Sequence, residues 1–509
     1  MLKKNKDIGF DIDLYSRQLG IIGSETMIKL TKIKILIIGL RGLGIEILKN
    51  LILEGPNSVD IYDPNLIDIY DLNSNFFATE EDVSKERDVT IIEKIKGLNP
   101  NVESKVIKQN IEIEDNSYEK ELDFILDTIS NYEIIIITEP LSKNTIIKIN
   151  NKCRKLSIKF IYTCALGLSG FLFNDFGNNH IISSPYYKDD TYYPIKNIKK
   201  GETTIIQIEN SLEGFPDLGD EGYIKIIDVK GMIELNDDII YKAKFISLSE
   251  YEIDINSNNF HNYIYGGFLQ VICLPQIIEF KTFEEDLMNP MKDKEREFID
   301  IPYIGRNDIV HSIIISLHNN EKKNNSKKYK RSYILDKELL PELNDEEKAK
   351  ILVESAKIVY NNSREKKENW IQLENLYDDS SKLKEFDEEM AKNLCLYLKA
   401  ELPPFTSFLG GVVAQEAIKI IGQFRPFNQW FEFEFNYLSK EIRREINEDI
   451  KHMSRYNEQI KIFGKDVQDK LSSLNVFLIG AGAIGCEYTK NFSMMGIACK
   501  YLFFCVITS

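Results

Sequence analysis

The chain has 509 residues, enough for about three or four domains, and 43% hydrophobic with 28% charged residues is an ordinary globular mixture. Asp and Glu (80) outnumber Lys and Arg (64), and the net charge of −16 repels nucleic acid and anionic membrane, so neither is expected as a partner. Seven scattered cysteines with no CxxC pair argue against a disulfide framework and a structural zinc site. No apolar run suits a signal peptide or a membrane span, so the cytoplasm or nucleus is the expected location and no metal ligands are assigned.

Residues Tyr15–Gly55 read as helix, apolar strand (Ile33–Ile38), glycine turn (Gly39-Leu-Arg41-Gly-Leu-Gly44) and helix, with Ile45, Leu48 and Leu51 at helical spacing. A strand, a glycine turn and a helix in that order open a Rossmann-like nucleotide-binding fold. Val59–Tyr62 and Ile134–Ile137 supply further buried strands. From Phe171 to about residue 273 the texture changes to alternating segments such as TTIIQIEN and YIKIIDVKGMIEL, broken by turn residues, which predicts a small inserted β domain. From about 274 to 400 the pattern is helical. Asp345–Tyr360 follows an Asn344/Asp345 start signal, and Phe386–Ala400 has Met390, Leu394 and Leu398 on one face. Inside this region NNEKKNNSKKYKR, Asn319–Arg331, is a basic low-complexity stretch expected to be a disordered surface loop.

Near the end of the chain, YNEQIKIFGKDVQDKLSSLNVFLIGAGAIGCEYTKNFSMMG, Tyr456–Gly496, aligns with Tyr15–Gly55 without a gap. Tyr, Gln, Gly, Leu, Glu, Lys and Asn recur in step, so the chain carries two copies of one folding unit. The second glycine turn is Gly480-Ala-Gly482-Ala-Ile-Gly485. Its first glycine permits the tight turn, its second lets a phosphate approach the backbone, and its third lets helix and strand pack closely. In the first copy Arg41 stands in the place of Gly482, and a side chain there obstructs that approach. Upstream the difference is reciprocal: Arg17 in the first copy corresponds to Glu458 in the second. If the copies pack as a pseudo-two-fold dimer, Arg17 can reach phosphates held by the second copy. On the residues alone, a surface arginine closing a salt bridge is an equal alternative.

YSRQL…GLRGLG and RYNEQIKIFG…FLIGAGAIGCE resemble the two halves of ubiquitin-activating enzymes, which belong with the ThiF/MoeB-type adenylating proteins. DEGYIKIIDVKGMIELND, Asp220–Asp238, resembles that family's first catalytic cysteine half-domain, and PPFTSFLGGVVAQEAIK, Pro403–Lys419, its return to the inactive half. The resemblance implies an α/β fold. Residues 8–170 and 401–447 would form a Rossmann-like inactive adenylation domain, 171–273 the inserted β domain, and 274–400 a four-helix-bundle-type region. Residues 452–509 would be the start of the active adenylation domain, its first βα unit. It implies ATP phosphates on Gly480, Gly482, Ala483 and Gly485, with Arg17 donated in trans. Asp63 would stand at the ribose-binding acidic position of the inactive copy, and Ser74 replaces that copy's phosphate arginine.

The implied activity is ATP- and Mg2+-dependent adenylation of the ubiquitin C-terminus, then transfer to an enzyme cysteine as a thioester. Ubiquitin and ubiquitin-conjugating enzymes are the implied partners, and the implied assembly is a monomer with an internal pseudo-two-fold. None of the seven cysteines matches the family's nucleophile motif, so the sequence is expected to stop inside the active half and to form no thioester alone. Two rival readings stand beside it: a non-enzymatic ubiquitin-binding truncation, and a dinucleotide-binding oxidoreductase, against which the long-range repeat weighs heavily.

Overall fold

A computed structural model describes residues 10–108, 117–182, 192–209, 216, 221–272, 274–288, 306–319, 332, 334–335, 340–364, 385–440, 454–499 and 501–505. The chain divides into two units. One comprises Met1–Asn178, Glu279–Ile420 and Pro426–Ser509; the other comprises Asn179–Ile278 with Ile421–Arg425.

The first unit opens with α1 (Ser16–Leu30), β1 (Lys34–Ile38), α2 (Gly42–Glu54), β2 (Ser58–Tyr62), α3 (Arg87–Ile95) and α4 (Ser117–Thr128). There follow β3 (Ile134–Ile137), α5 (Lys143–Lys155), β4 (Lys159–Leu166) and β5 (Ser169–Asp175). Strands β1 to β4 pair in parallel, with Ile35 opposite Val59 on one side and Ile134 on the other. A parallel sheet is covered on both faces, and accordingly Ile35–Ile38 and Ile134–Ile137 are fully buried apolar runs without alternation.

The sequence reading starts the inserted β region at 171, but Phe171 lies in β5, whose residues are all buried and which pairs antiparallel with β4. A buried antiparallel strand has the same β-rich composition as a strand of an inserted domain, so composition alone does not say which sheet it joins. In the second unit β6 (His180–Ile182) pairs with β13 (Gln276–Ile278). The intervening β7 (Tyr192–Lys199), β8 (Thr204–Ile208), β9 (Glu221–Ile227), β10 (Tyr241–Ser247), β11 (Glu250–Ile253) and β12 (Phe268–Ile272) close into a barrel. Period-two alternation turns Ile206, Ile224, Ile226, Tyr251 and Leu269 inward as its core.

The chain then re-enters the first unit with α6 (Phe283–Met288), α7 (Arg306–Asn319), α8 (Glu346–Arg364), α9 (Glu388–Tyr397), α10 (Pro403–Lys419) and β14 (Trp430–Glu434). Asp345 and Asp387 start α8 and α9 by accepting from the Lys348 and Met390 N–H groups at 3.0 and 2.8 Å. β14 pairs with β5 and completes a six-stranded sheet, in the order β14-β5-β4-β3-β1-β2. Helix α10 lies so close to α2 that a Cβ on Gly410 would come within 2.6 Å of the Glu46 Cβ. The basic stretch 319–331 lies, apart from Asn319 at the end of α7, outside the described residues.

The second copy, also in the first unit, consists of α11 (Asn457–Phe463), α12 (Lys465–Ser473), β15 (Asn475–Ile479), α13 (Ala483–Met495) and β16 (Tyr501–Cys505). The sequence reading anticipates only the first βα step here. The structure adds β16, parallel to β15 with Tyr501 opposite Asn475, because Tyr501-Leu-Phe-Phe is an aromatic and apolar run with strong strand preference.

Candidate functional site

The recurring residues of the repeat do the same structural work twice. Tyr15 and Tyr456 lie beneath the left-handed glycines that end α2 and α13, Gly55 and Gly496. A Cβ at either glycine would come within 2.5 and 2.8 Å of the respective tyrosine. Gln18 and Gln459 each donate a side-chain N–H to a last-turn carbonyl, of Glu54 and Met495, at 3.0 Å. Gly39 and Gly480 turn the chain at φ +99° and +94°. Gly44 and Gly485 then bring each helix against its turn, where a Cβ would meet the turn's carbonyl oxygen at 2.2 and 2.1 Å.

The two turns differ in what fills them. In the second copy Gly482 is the N-cap of α13, a Cβ there would meet nothing within 4 Å, and residues 481–484 are exposed. Unpaired N–H groups at an open helix start suit a phosphate. In the first copy Arg41 takes the N-cap place, but its side chain does not block the turn from outside. It is buried among the carboxylates of Asp71 (3.3 Å), Glu401 (3.5 Å) and Asp68 (3.9 Å). Burial alone would lower the Arg41 pKa; these three carboxylates overcome it and hold the guanidinium above its ordinary value.

What blocks the first turn is Glu401, whose carboxylate accepts from the Gly42 N–H at 2.8 Å and from the Ser74 hydroxyl at 3.2 Å. An anionic side chain thus sits at the α2 N-terminus, where this type of fold receives a phosphate. Asp63 is equally committed, accepting from the Leu40 N–H at 2.9 Å and from Arg87 Nη1 at 2.7 Å, while Arg87 Nη2 holds Asp71 at 2.7 Å. Burial, with Asp63 beside it, pushes Glu139 up to about 8 against the opposing pull of Arg87 and Arg41.

The copies meet where α2 faces α13. Glu46 and Lys49 are the counterparts of Glu487 and Lys490, and they pair reciprocally: Lys49 Nζ with Glu487 Oε1 at 2.5 Å, and Lys490 Nζ with Glu46 Oε1. Within each helix the same residues pair at i, i+3, at 3.2 and 2.8 Å. The Phe76 ring receives both ammonium groups, 5.8 and 4.8 Å from its centroid. The side-chain amide of Asn491, another recurring residue, lies 2.8 Å from the Ser407 hydroxyl of α10. Four charges that each meet the opposite charge of the other copy are the signature of a two-fold relation between α2 and α13.

Arg17 and Glu458 occupy equivalent places in different surroundings. Glu458 is 4% exposed and crosses to the first copy, its Oε2 accepting from the Glu401 N–H at 2.9 Å and from Asn73 Nδ2 at 3.3 Å. Arg17 is exposed on α1, and its side chain makes no hydrogen bond or ion pair among the described residues. Gly480, Gly482, Ala483 and Gly485 lie together in the open turn, and no hydrogen bond or ion pair joins that turn to the Arg17 side chain among the described residues. Sequence reasoning missed Glu401, which is 359 residues from Gly42. It also missed the charge quartet, although the recurrence of Glu and Lys in step is its signal.

Among the described residues no group of three or more His, Cys, Asp or Glu side chains is arranged to hold a metal, so none is assigned to magnesium. No described helix is long and apolar enough to cross a membrane. Cys153, Cys164 and Cys395 are buried, and burial pushes all three thiols up, Cys395 to about 12. Cys486 and Cys499 are exposed. Brief treatment of the native chain with iodoacetamide at neutral pH should therefore alkylate Cys486 and Cys499 and spare the three buried thiols. Peptide mass spectrometry reads this directly, and early labelling of Cys153, Cys164 or Cys395 would contradict their described burial.

The sequence matches the ThiF family over residues 15–454 and again over 456–502. It is 30% identical to "Ubiquitin-like modifier-activating enzyme 1" of Homo sapiens over 506 residues, which cover 98% of this chain and 43% of that protein. To the protein of the same name from Dictyostelium discoideum it is 32% identical over 497 residues, 96% of this chain and 43% of that one. To "Ubiquitin-activating enzyme E1 1" of Candida albicans it is 30% identical over 491 residues, again 96% and 43%. The chain thus spans less than half the length of these relatives.

Proposed function

The chain belongs to the ThiF family, and from that premise we propose that it contributes to ATP-dependent adenylation of the C-terminal carboxylate of ubiquitin. In this reading the first copy and the helices after the barrel are the inactive adenylation half with its helical region. The barrel is the first catalytic cysteine half-domain type, and the second copy begins the active half. Gly480, Gly482, Ala483 and Gly485 receive the ATP phosphates on the N-terminus of α13. Arg17 comes from the other copy to neutralise charge on the leaving pyrophosphate, with no described cysteine serving as the thioester nucleophile.

The observation that carries the reading is the reciprocal crossing. Glu458 reaches from the second copy to residues beside the first copy's turn, and the Glu46, Lys49, Glu487 and Lys490 quartet relates the copies by a two-fold. In the proposed reading, the same two-fold relates Arg17, the counterpart of Glu458, to the second copy's turn. ATP binds where the N–H groups are open and supplies the adenylyl group. Magnesium is carried as the family's cofactor without a residue assigned to it.

ATP–pyrophosphate exchange by the native polypeptide carrying these residues tests the reading. Exchange should require ubiquitin with an intact C-terminus and should disappear with ubiquitin shortened there. Exchange that is indifferent to ubiquitin would overturn it and favour another acyl substrate. Binding of ubiquitin without any exchange would favour the non-enzymatic alternative.

A further inference from the structure

The buried cluster around Arg41 has no role in the proposed adenylation, yet it is fully built. Glu401 fills the α2 N-terminus, Arg41 neutralises it, and Asn73 and the Glu401 backbone N–H present donors to the second copy. The occupant of those donors is Glu458, on α11. Its neighbours Asn457 (4%) and Gln459 (3%) and the apolar Ile462 (3%) are buried with it.

The exchange of charges between the copies is concerted. The open turn has a glycine, room for an anion, and a cation as its counterpart across the two-fold. The closed turn has its own cation, Arg41, its own anion, Glu401, and an anion arriving from across. A cation at position 458 would set a donor against the Glu401 N–H, which now donates to the Glu458 carboxylate.

We infer that the first copy's closed turn is an internal socket, whose ligand is the side-chain carboxylate of Glu458 carried by the second copy. Glu401 and Asn73 form the receptor, and Glu458 is a positioning residue that fixes α11 against the first copy. By the two-fold, the socket also holds the register in which Arg17 faces the second turn; that consequence rests on the proposed function, whereas the socket itself does not.

Hydrogen exchange of the full chain without nucleotide or ubiquitin tests the socket apart from catalysis. The readouts are the Ile460 and Gly464 amides, which bond to Tyr456 and Ile460 at 2.8 Å, with the Ile134–Ile137 strand as an internal control. Glu458→Ala and Glu458→Arg should each speed exchange at 460 and 464 about tenfold or more, with the strand unchanged. Glu458→Gln keeps an acceptor oxygen and should stay within about threefold of wild type. Adding Asn73→Ala to Glu458→Ala should cost less than the sum of the two single changes, because the bond between these side chains is counted in both, while the Asn73 bond to the Glu401 carbonyl is lost only with Asn73. Unchanged protection in Glu458→Ala, a Gln variant as damaged as the Ala variant, or loss in step at the control strand would each overturn the socket. None of these outcomes depends on whether the protein activates ubiquitin.

Discussion

Reversing the charges on one side of the two-fold, Glu46→Lys with Lys49→Glu, should release α13 from α2, and reversing all four charges should restore it. Glu46 and Lys49 are nearly buried, with side-chain exposures of 2% and 9%, while Glu487 is 47% exposed, so the quartet spans the edge of the interface. Reversal on one helix sets an ammonium at position 46 against Lys490 and a carboxylate at position 49 against Glu487. Stranding a buried charge beside its like costs about 3 kcal/mol, reduced at the exposed Glu487 corner, which is roughly two decades in the docking equilibrium.

The fourfold reversal, with Glu487→Lys and Lys490→Glu added, recreates both cross-pairs and both pairs within helices. The Ser407 hydroxyl, which donates to Glu46 Oε1 at 2.7 Å, can equally accept from a lysine. Limited proteolysis between residues 440 and 499, or hydrogen exchange of α11 and α13, reads the result. Failure of the fourfold variant to recover would mean that the packing of α10 and α13, and not the charge pairing, fixes the interface.

The same contact has a pH window whose sign is set by its partners. Burial opposes ionisation of Glu487, but Lys49 and Lys490 overcome it and hold the carboxyl below its ordinary 4.5. Its contribution is therefore present above about pH 4.5 and is lost as the pH falls through the lowered value. Burial likewise opposes charge on Lys49, and Glu46 with Glu487 overcomes it, raising Lys49 above 10.5. That contribution is present below the ordinary value and is lost only as the pH rises past the raised one.

How much is legible in the sequence follows from how local each feature is. The strand–turn–helix repeat is local, and β1, β15 and the helices after the two turns lie within a residue or two of the expected positions. The recurring Tyr, Gln and Gly act within their own copy, the Tyr and Gln on the end of the helix that follows the turn, and so they repeat. The recurring Glu and Lys look the same in sequence, but their work is between copies, and periodicity identifies a helix face without identifying what covers it. Arg41 reads as an obstruction because Glu401, its partner, lies far along the chain; only the fold brings the two together. The start of the inserted region at 171 is blurred for a related reason: β5 joins β14, contributed by residues 430–434, and no local signal announces a strand partner that distant.

Arg17→Ala in the native polypeptide is the most direct test of the account, because Arg17 is where repeat, two-fold and chemistry meet. A single charge-assisted contact to a phosphate is worth roughly 1–3 kcal/mol. If that contact stabilises the departing pyrophosphate, its loss should slow ubiquitin-dependent ATP–pyrophosphate exchange about tenfold or more. In a polypeptide that also carries the nucleophile cysteine, transfer of ubiquitin from preformed adenylate to that thiol should be nearly unchanged, since pyrophosphate has already left. The Arg17 side chain is exposed and makes no hydrogen bond or ion pair among the described residues, so the substitution should leave the melting temperature in place. Slowed exchange with intact transfer is the predicted result. Undiminished exchange, or equal loss in both steps, would contradict delivery of Arg17 across the two-fold.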